Sequence, residues 1–170
     1  MGFLKKLSSA VAIVFIACGP LVAQVSSRAY SIMLKGMYNE TVELIGCDEL
    51  ASQLSDVVLL DTRAPKEFEV SHLKNARWVG YEAFSKSKVK DLDKDQTIVV
   101  YCSVGARSEK IGERLLKMGF TNVYNLHGGI FEWVNRDYEV VDSQGKPTQR
   151  VHAYSKTWGV WLQKGEKVYD

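Results

Sequence analysis

The sequence predicts an α/β fold, an open and mainly parallel sheet covered by helices on both faces. Three observations predict it. Val57-Val58-Leu59-Leu60 and Thr97-Ile98-Val99-Val100-Tyr101 are strongly apolar runs, the mark of strands buried on both faces. Strand-like and helix-like segments alternate through residues 42–137, as they do where helices cross between parallel strands. Asp61, Arg63, Cys102 and His127 fall at or just past strand ends, where ligands sit in such sheets.

The elements follow in order. Lys5 and Lys6 precede an apolar run over residues 7–17, interrupted only by Ser8 and Ser9, and Pro20 breaks it. This has the pattern of an export signal over residues 1–23 with cleavage after Ala23. It is shorter than the roughly 20 apolar residues that span a bilayer. Phe15-Ile16-Ala17-Cys18 loosely resembles a lipidation box, so membrane attachment is expected only if Cys18 is lipidated. The expected location is the periplasm or another exported compartment. A buried N-terminal helix is the alternative.

Residues 24–41 form a helical segment, with Tyr30, Met33, Leu34 and Met37 on one apolar face. A strand at 42–45 leads to a helix over 48–54, capped by Asp48 or Cys47, with Leu50, Ala51 and Leu54 inward. After the strand at 57–60, Pro65 opens a short helix, and a strand follows at 76–79. Residues 85–96 read as a solvated connection. Beyond the strand at 97–101, Ile111, Leu115, Leu116 and Met118 mark a helix ended by Gly119. A strand at 123–126 precedes a helix begun by Gly128-Gly129 and carrying Ile130, Trp133 and Val134. Residues 138–170 are expected to form an extension of short strands at 140–141, 149–151 and around Trp158 and Trp161, with no chemistry assigned.

The 170 residues are 46% hydrophobic and 25% charged, a composition that excludes disorder and a membrane bundle. The formal net charge is +2. Subtracting Lys5 and Lys6 from the 22 basic side chains leaves as many as the 20 acidic ones. A net charge near zero predicts no nucleic-acid partner. His72, His127 and His152 show no ligand spacing, so no metal and no cofactor are expected. Cys47 and Cys102 could pair in an exported domain, but Cys47 reads as a small half-buried residue.

The chemistry concentrates in Cys102-Ser103-Val104-Gly105-Ala106-Arg107-Ser108. The loop joins a buried strand to a helix, so its amides can converge on one small cradle beside a positive helix end. Gly105 permits the tight curl, and Arg107 can brace the loop or help hold an anion. A thiolate placed there is stabilised and becomes the nucleophile. Asp61 is expected to serve the loop's hydrogen bonding. Arg63 is expected to brace its surroundings through carboxylates such as Glu67.

These residues resemble those of a single-domain rhodanese. The matching pieces are Leu59-Leu60-Asp61-Thr62-Arg63, Glu67-Phe68, His72-Leu73, Ala76, Val99-Val100-Tyr101-Cys102 and the loop to Ser108. Gly119-Phe120, Val123, Leu126-His127-Gly128-Gly129-Ile130 and Trp133 complete them. They span roughly residues 42–137; Ser71 stands where family members usually have glycine. The resemblance implies a three-layer, rhodanese-like fold around a five-stranded sheet. It implies a sulfurtransferase with Cys102 as the persulfide-forming residue. Ser103, Val104, Gly105, Ala106 and Arg107 would be the substrate-binding loop, with Asp61 and Arg63 in support. The partners expected are a small sulfur-containing anion such as thiosulfate, a thiol or cyanide acceptor, and a periplasmic protein thiol.

Three rival readings use the same features. Phosphatases and arsenate reductases of related fold cradle an oxyanion with five residues between cysteine and arginine; here four separate Cys102 from Arg107. A non-catalytic binding module would not need Cys102. A thiol–disulfide partner would need an outside resolving thiol, because the chain has no Cys-x-x-Cys.

Overall fold

The computed structural model describes residues 27–170; the expected leader, including Cys18 and Ala23, lies outside them. Five strands, β1 (Glu43–Ile45), β2 (Val58–Asp61), β3 (Arg77–Trp78), β4 (Ile98–Tyr101) and β5 (Val123–Leu126), form one sheet in the order β1-β5-β4-β2-β3. Every neighbouring pair in it is parallel. The helices are α1 (Arg28–Met37), α2 (Cys47–Ser52), α3 (Pro65–Val70), α4 (Ala106–Lys117) and α5 (Gly129–Asn135).

Strand periodicity divides the core. Leu59, Val99, Tyr101 and Leu126 face the layer built with Tyr30, Leu34, Leu50, Ile130 and Phe131. Leu60, Ile98, Val100 and Val123 face the opposite layer with Ile111, Leu115 and Phe120. Successive residues of β2 and β4 therefore bury on opposite faces, and the two central strands need apolar side chains throughout. The stripe expected on α1 is present: Tyr30 and Leu34 are buried, Met33 and Met37 pack partly buried against the same core, and Ser27 caps the helix by accepting from Tyr30 N at 3.1 Å.

Several local expectations need correction. α2 ends at Ser52 and its cap residue is Gly46, which leaves Leu54 38% exposed instead of inward. Leu116 is also exposed, on the solvent side of α4. The connection 85–96 contains a 3-10 turn at Lys86–Val89 whose Val89 is buried, so one apolar residue anchors an otherwise charged segment. Cys47 is fully buried, not half-buried.

Residues beyond α5 form two small strand pairs. β6 (Val140–Val141) and β7 (Pro147–Thr148) are antiparallel, whereas β8 (Arg150–His152) and β9 (Glu166–Val168) are parallel. Trp158–Trp161 is a 3-10 turn, not a strand; Gly159 N donates locally to Ser155 O at 2.7 Å. Its aromatic content suggested a strand, but tryptophan's strand preference depends on packing. Here Trp161 stacks on Tyr30 at 5.5 Å between centroids. Val141 exchanges both backbone bonds with His72, and Asn135 accepts from Gln163 N at 2.6 Å. The extension is thus fastened to the first, third and last helical regions.

Candidate active site

The loop after β4 holds its shape because its carbonyls are drawn outward. Cys102 O and Ser103 O accept from Ile130 N and Phe131 N of α5 at 2.9 and 3.1 Å. Val104 O accepts from Tyr38 Oη at 2.7 Å. Gly105 O accepts from Ser108 Oγ and from Asn125 Nδ2, both at 3.0 Å. In a trans peptide the carbonyl and the next amide point in opposite directions. Outward carbonyls at 102–105 therefore turn the amides of residues 103–106 toward the thiol side. Gly105 N donates to Cys102 Sγ at 3.1 Å, an amide–sulfur contact suited to a thiolate.

Two glycines make this arrangement possible. Gly105 has φ +107, and a Cβ there would lie 2.2 Å from Tyr38 Oη. Gly129 has φ +57, and its Cβ would lie 2.4 Å from Cys102 O. A side chain at Gly129 would push α5 off the carbonyls that it holds.

Arg107 is braced instead of standing free in the cradle. Its Nη1 and Nη2 reach Glu67 Oε2 and Oε1, both at 2.9 Å, and Nη2 reaches Ser103 Oγ at 3.0 Å. Ser103 Oγ also donates to Glu67 Oε1 at 2.9 Å. Glu67 accepts from Ala64 N at 2.9 Å, so one carboxylate links the start of α3 to the loop. Burial works against the Glu67 charge, but Arg107 overrides it and holds the carboxyl below the usual range. Burial likewise opposes the Arg107 charge, yet Glu67 and the nearby Cys102 raise the arginine above its ordinary value. The pair stays ionised, with the Arg107 side chain still 25% exposed.

Asp61 and Arg63 form a separate pair. Both side chains are fully buried, 2.6 Å apart between Arg63 Nη2 and Asp61 Oδ2. Arg63 Nη2 also donates to Ser71 O at 2.6 Å, and Arg63 O accepts from Trp78 Nε1 at 2.9 Å. The expected partnership of Arg63 with Glu67 is therefore corrected: Glu67 is taken by Arg107. Asp61 serves Arg63 and the turn after β2, with no hydrogen bond to the loop among the described residues. Proximity along the chain decided this pairing, since Asp61 Oδ1 already accepts from Arg63 N at 2.8 Å in the turn after β2.

Cys102 is only 1% exposed and lies at the floor of a cavity of 130 Å³ lined also by Met37, Val104, Arg107, Tyr154 and Trp158. That is room for about four water molecules at roughly 30 Å³ each. Met37 comes from α1, and Tyr154 and Trp158 come from the extension. The sequence reading found the loop but missed this wall, as well as Tyr38 and Asn125 behind the loop. Asn125 had a signal, a polar residue inside the apolar strand Val123–Leu126. Tyr154 had none, because only the path of the extension brings it to the site. His127 is half-buried against Tyr38, 5.8 Å between ring centroids. Cys47 and Cys102 are both free, and burial pushes the Cys47 thiol up to about 12, which keeps it protonated and unreactive.

A family model for the rhodanese-like domain matches residues 47–136, and the chain belongs to that family. A tRNA uridine(34) hydroxylase of Photorhabdus laumondii is 31% identical over 139 residues, covering 78% of this chain and 38% of that protein. Another of the same name, from Cytophaga hutchinsonii, is 42% identical over 82 residues, covering 46% of this chain and 26% of its own length. The chain thus spans well under half of these relatives. The crystal structure of a rhodanese-related protein from Thermoplasma volcanium superposes with a TM-score of 0.50 at 26% identity, covering 58% of this chain and 97% of that one.

The relatives overturn two expectations. They are named for a tRNA nucleotide, which removes the expectation of no nucleic-acid partner. Net charge is a sum over the whole surface and does not report local cationic patches. The same names run against export to the periplasm, and with it against lipid attachment at Cys18 and a periplasmic thiol partner, which depended on export. A basic start, an apolar run, Pro20 and a small residue at Ala23 are a local pattern, and that pattern alone supported export.

Proposed function

We propose that this protein is a sulfur-carrying enzyme in which Cys102 is the nucleophile. The observation that supports it best is the contact from Gly105 N to Cys102 Sγ, backed by loop carbonyls that α5, Tyr38 and Asn125 hold outward. The Cys102 thiolate attacks the outer sulfur of a donor such as thiosulfate. The sulfur–sulfur bond of the donor breaks, sulfite departs with the bonding pair, and a Cys102 persulfide forms. The amides of residues 103–106 then face the terminal sulfur and its charge. A nucleophilic acceptor, a thiol or cyanide, bonds to that sulfur and the Cys102 thiolate is restored. This is covalent catalysis with ping-pong kinetics as its signature.

The cavity favours this chemistry over phosphoryl transfer. A space of 130 Å³ with four residues between cysteine and arginine suits one sulfur better than a phosphoester. Ser103, Val104, Gly105, Ala106 and Arg107 form the binding loop in this reading, with Asp61 and Arg63 as structural support. Intact mass after thiosulfate treatment tests it. A gain of about 32 Da, removed by cyanide and absent in Cys102→Ser, is expected. An adduct that survives Cys102→Ser and disappears in Cys47→Ser would defeat the assignment.

The names of the relatives favour a second reading, in which the group that meets Cys102 belongs to a tRNA. Similarity over 139 residues extends well beyond the 90-residue domain match. Binding of bulk tRNA in a gel-shift titration tests it; no retardation at low salt counts against it.

A further inference from the structure

A second cavity adjoins the one over Cys102. It measures 480 Å³ and is lined by Trp78, Tyr81, Glu82 and Ala83 on one side, with Arg107 and Tyr154 on the other. Arg107 and Tyr154 line both cavities. The inner space takes a few atoms, whereas the outer one falls in the size range of ordinary small-ligand sites.

Each ring of its wall has a cation against it, Arg107 within the lining and Lys88 and Arg114 outside it. Lys88 Nζ lies 3.7 Å from the Trp78 ring, Arg107 is 5.0 Å from Tyr154, and Arg114 is 5.7 Å from Tyr81. Beyond Tyr81 the surface continues into a further hollow of 410 Å³ lined by Phe84, Lys86, Arg114 and Lys117. Lys86, Arg114 and Lys117 make no ion pair among the described residues. Glu82 is the one acidic side chain lining either hollow. Tyr154 is half exposed and held at φ +65, a backbone state that costs energy for a non-glycine residue. It is fixed there by Tyr154 N donating to His152 Nδ1 at 3.1 Å and by the β8–β9 pair.

We infer that this outer cleft binds a nucleotide, its base against Trp78, Tyr81 and Tyr154 and its phosphate toward Arg114, Lys86 and Lys117. Flat rings supply stacking to any base, and unpaired cations track the phosphates. Arg107 and Tyr154 stand between the cleft and the Cys102 cavity, so a base seated there lies next to that cavity. The inference rests on the second reading above and deepens it by locating the acceptor. It also assigns a task to the extension, which contributes Tyr154 from outside the family match.

The test is a side-chain NMR titration of the full chain with two probes, uridine monophosphate and a short single-stranded oligouridylate. Shifts at Trp78, Tyr81 and Tyr154 are expected with both probes if free nucleotides are taken, and with the oligomer alone if the strand is required. Either result supports the cleft. Tyr81→Ala and Tyr154→Ala should each weaken binding at least about fivefold. The double substitution Arg114→Gln with Lys117→Gln leaves the core untouched and should flatten the salt dependence. If these rings do not respond to either probe, or if affinity is unchanged in all the cleft variants, the inference is overturned. Cleft binding in a protein that takes no sulfur from thiosulfate would instead defeat the sulfur-carrier reading alone.

Discussion

Two arginine–carboxylate pairs stand near the loop, and they differ in one respect that separates their roles. Asp61 and Arg63 are both fully buried, and most of their hydrogen bonds stay within the turn after β2. Glu67 is as buried, but its partner Arg107 keeps a quarter of its surface in the cavity. The first pair fastens the strand ends together. The second joins α3 to the cradle and leaves a charged edge for whatever enters. Two arginine–carboxylate pairs thus differ in whether any charged atom still faces the cavity.

The largest expected effect breaks the first pair. Asp61→Ala leaves a buried guanidinium without its carboxylate, and such losses cost about 3–5 kcal/mol. Chemical denaturation should show this, and a loss below about 1 kcal/mol would mean that water already serves Arg63. Next comes the second pair. Arg107→Ala should slow sulfur loading from thiosulfate by about ten- to a hundredfold, as expected for losing one charge-assisted contact. Arg63→Ala, where it still folds, should slow loading less; the reverse order would exchange the two roles.

The smallest effect concerns pH. The Glu67 carboxyl is held below its ordinary value by Arg107, against the cost of burial. Its contribution to stability is complete above the unfolded value of about 4.3 and is lost as pH falls through the folded value. Wild type should therefore exceed Glu67→Gln in stability by about 1–2 kcal/mol at neutral pH. The gap should narrow in acid, below about pH 4. A gap that stays constant from pH 7 to strong acid, measured by denaturant midpoints, would show that the ion pair contributes only shape.

Much of this molecule was legible from its residues. Apolar runs without alternation at 57–60 and 97–101 required strands covered on both faces, and the sheet has them at its centre. Cys102 followed directly by a glycine- and arginine-bearing loop located the cradle. Helix ends and partners were harder. Leu54 was expected inside and lies outside because α2 stops at Ser52; a helix end depends on a single capping bond, which apolar spacing does not encode.

The sequence by itself determined the local order: which segments bury, which loop curls, and where along it the thiol sits. Those properties arise from neighbours along the chain, through periodicity, left-handed glycines and helix starts. Only the tertiary structure decided which carboxylate meets which arginine, and that Met37, Tyr154 and Trp158 enclose Cys102. Met37 and Tyr154 lie more than forty residues from the loop, one on either side of it along the chain. Their arrival depends on the packing of α1 and of the extension against one face of the sheet. Distance in space between residues far apart in the chain is set by the sum of many weak contacts, and no short window of sequence contains it.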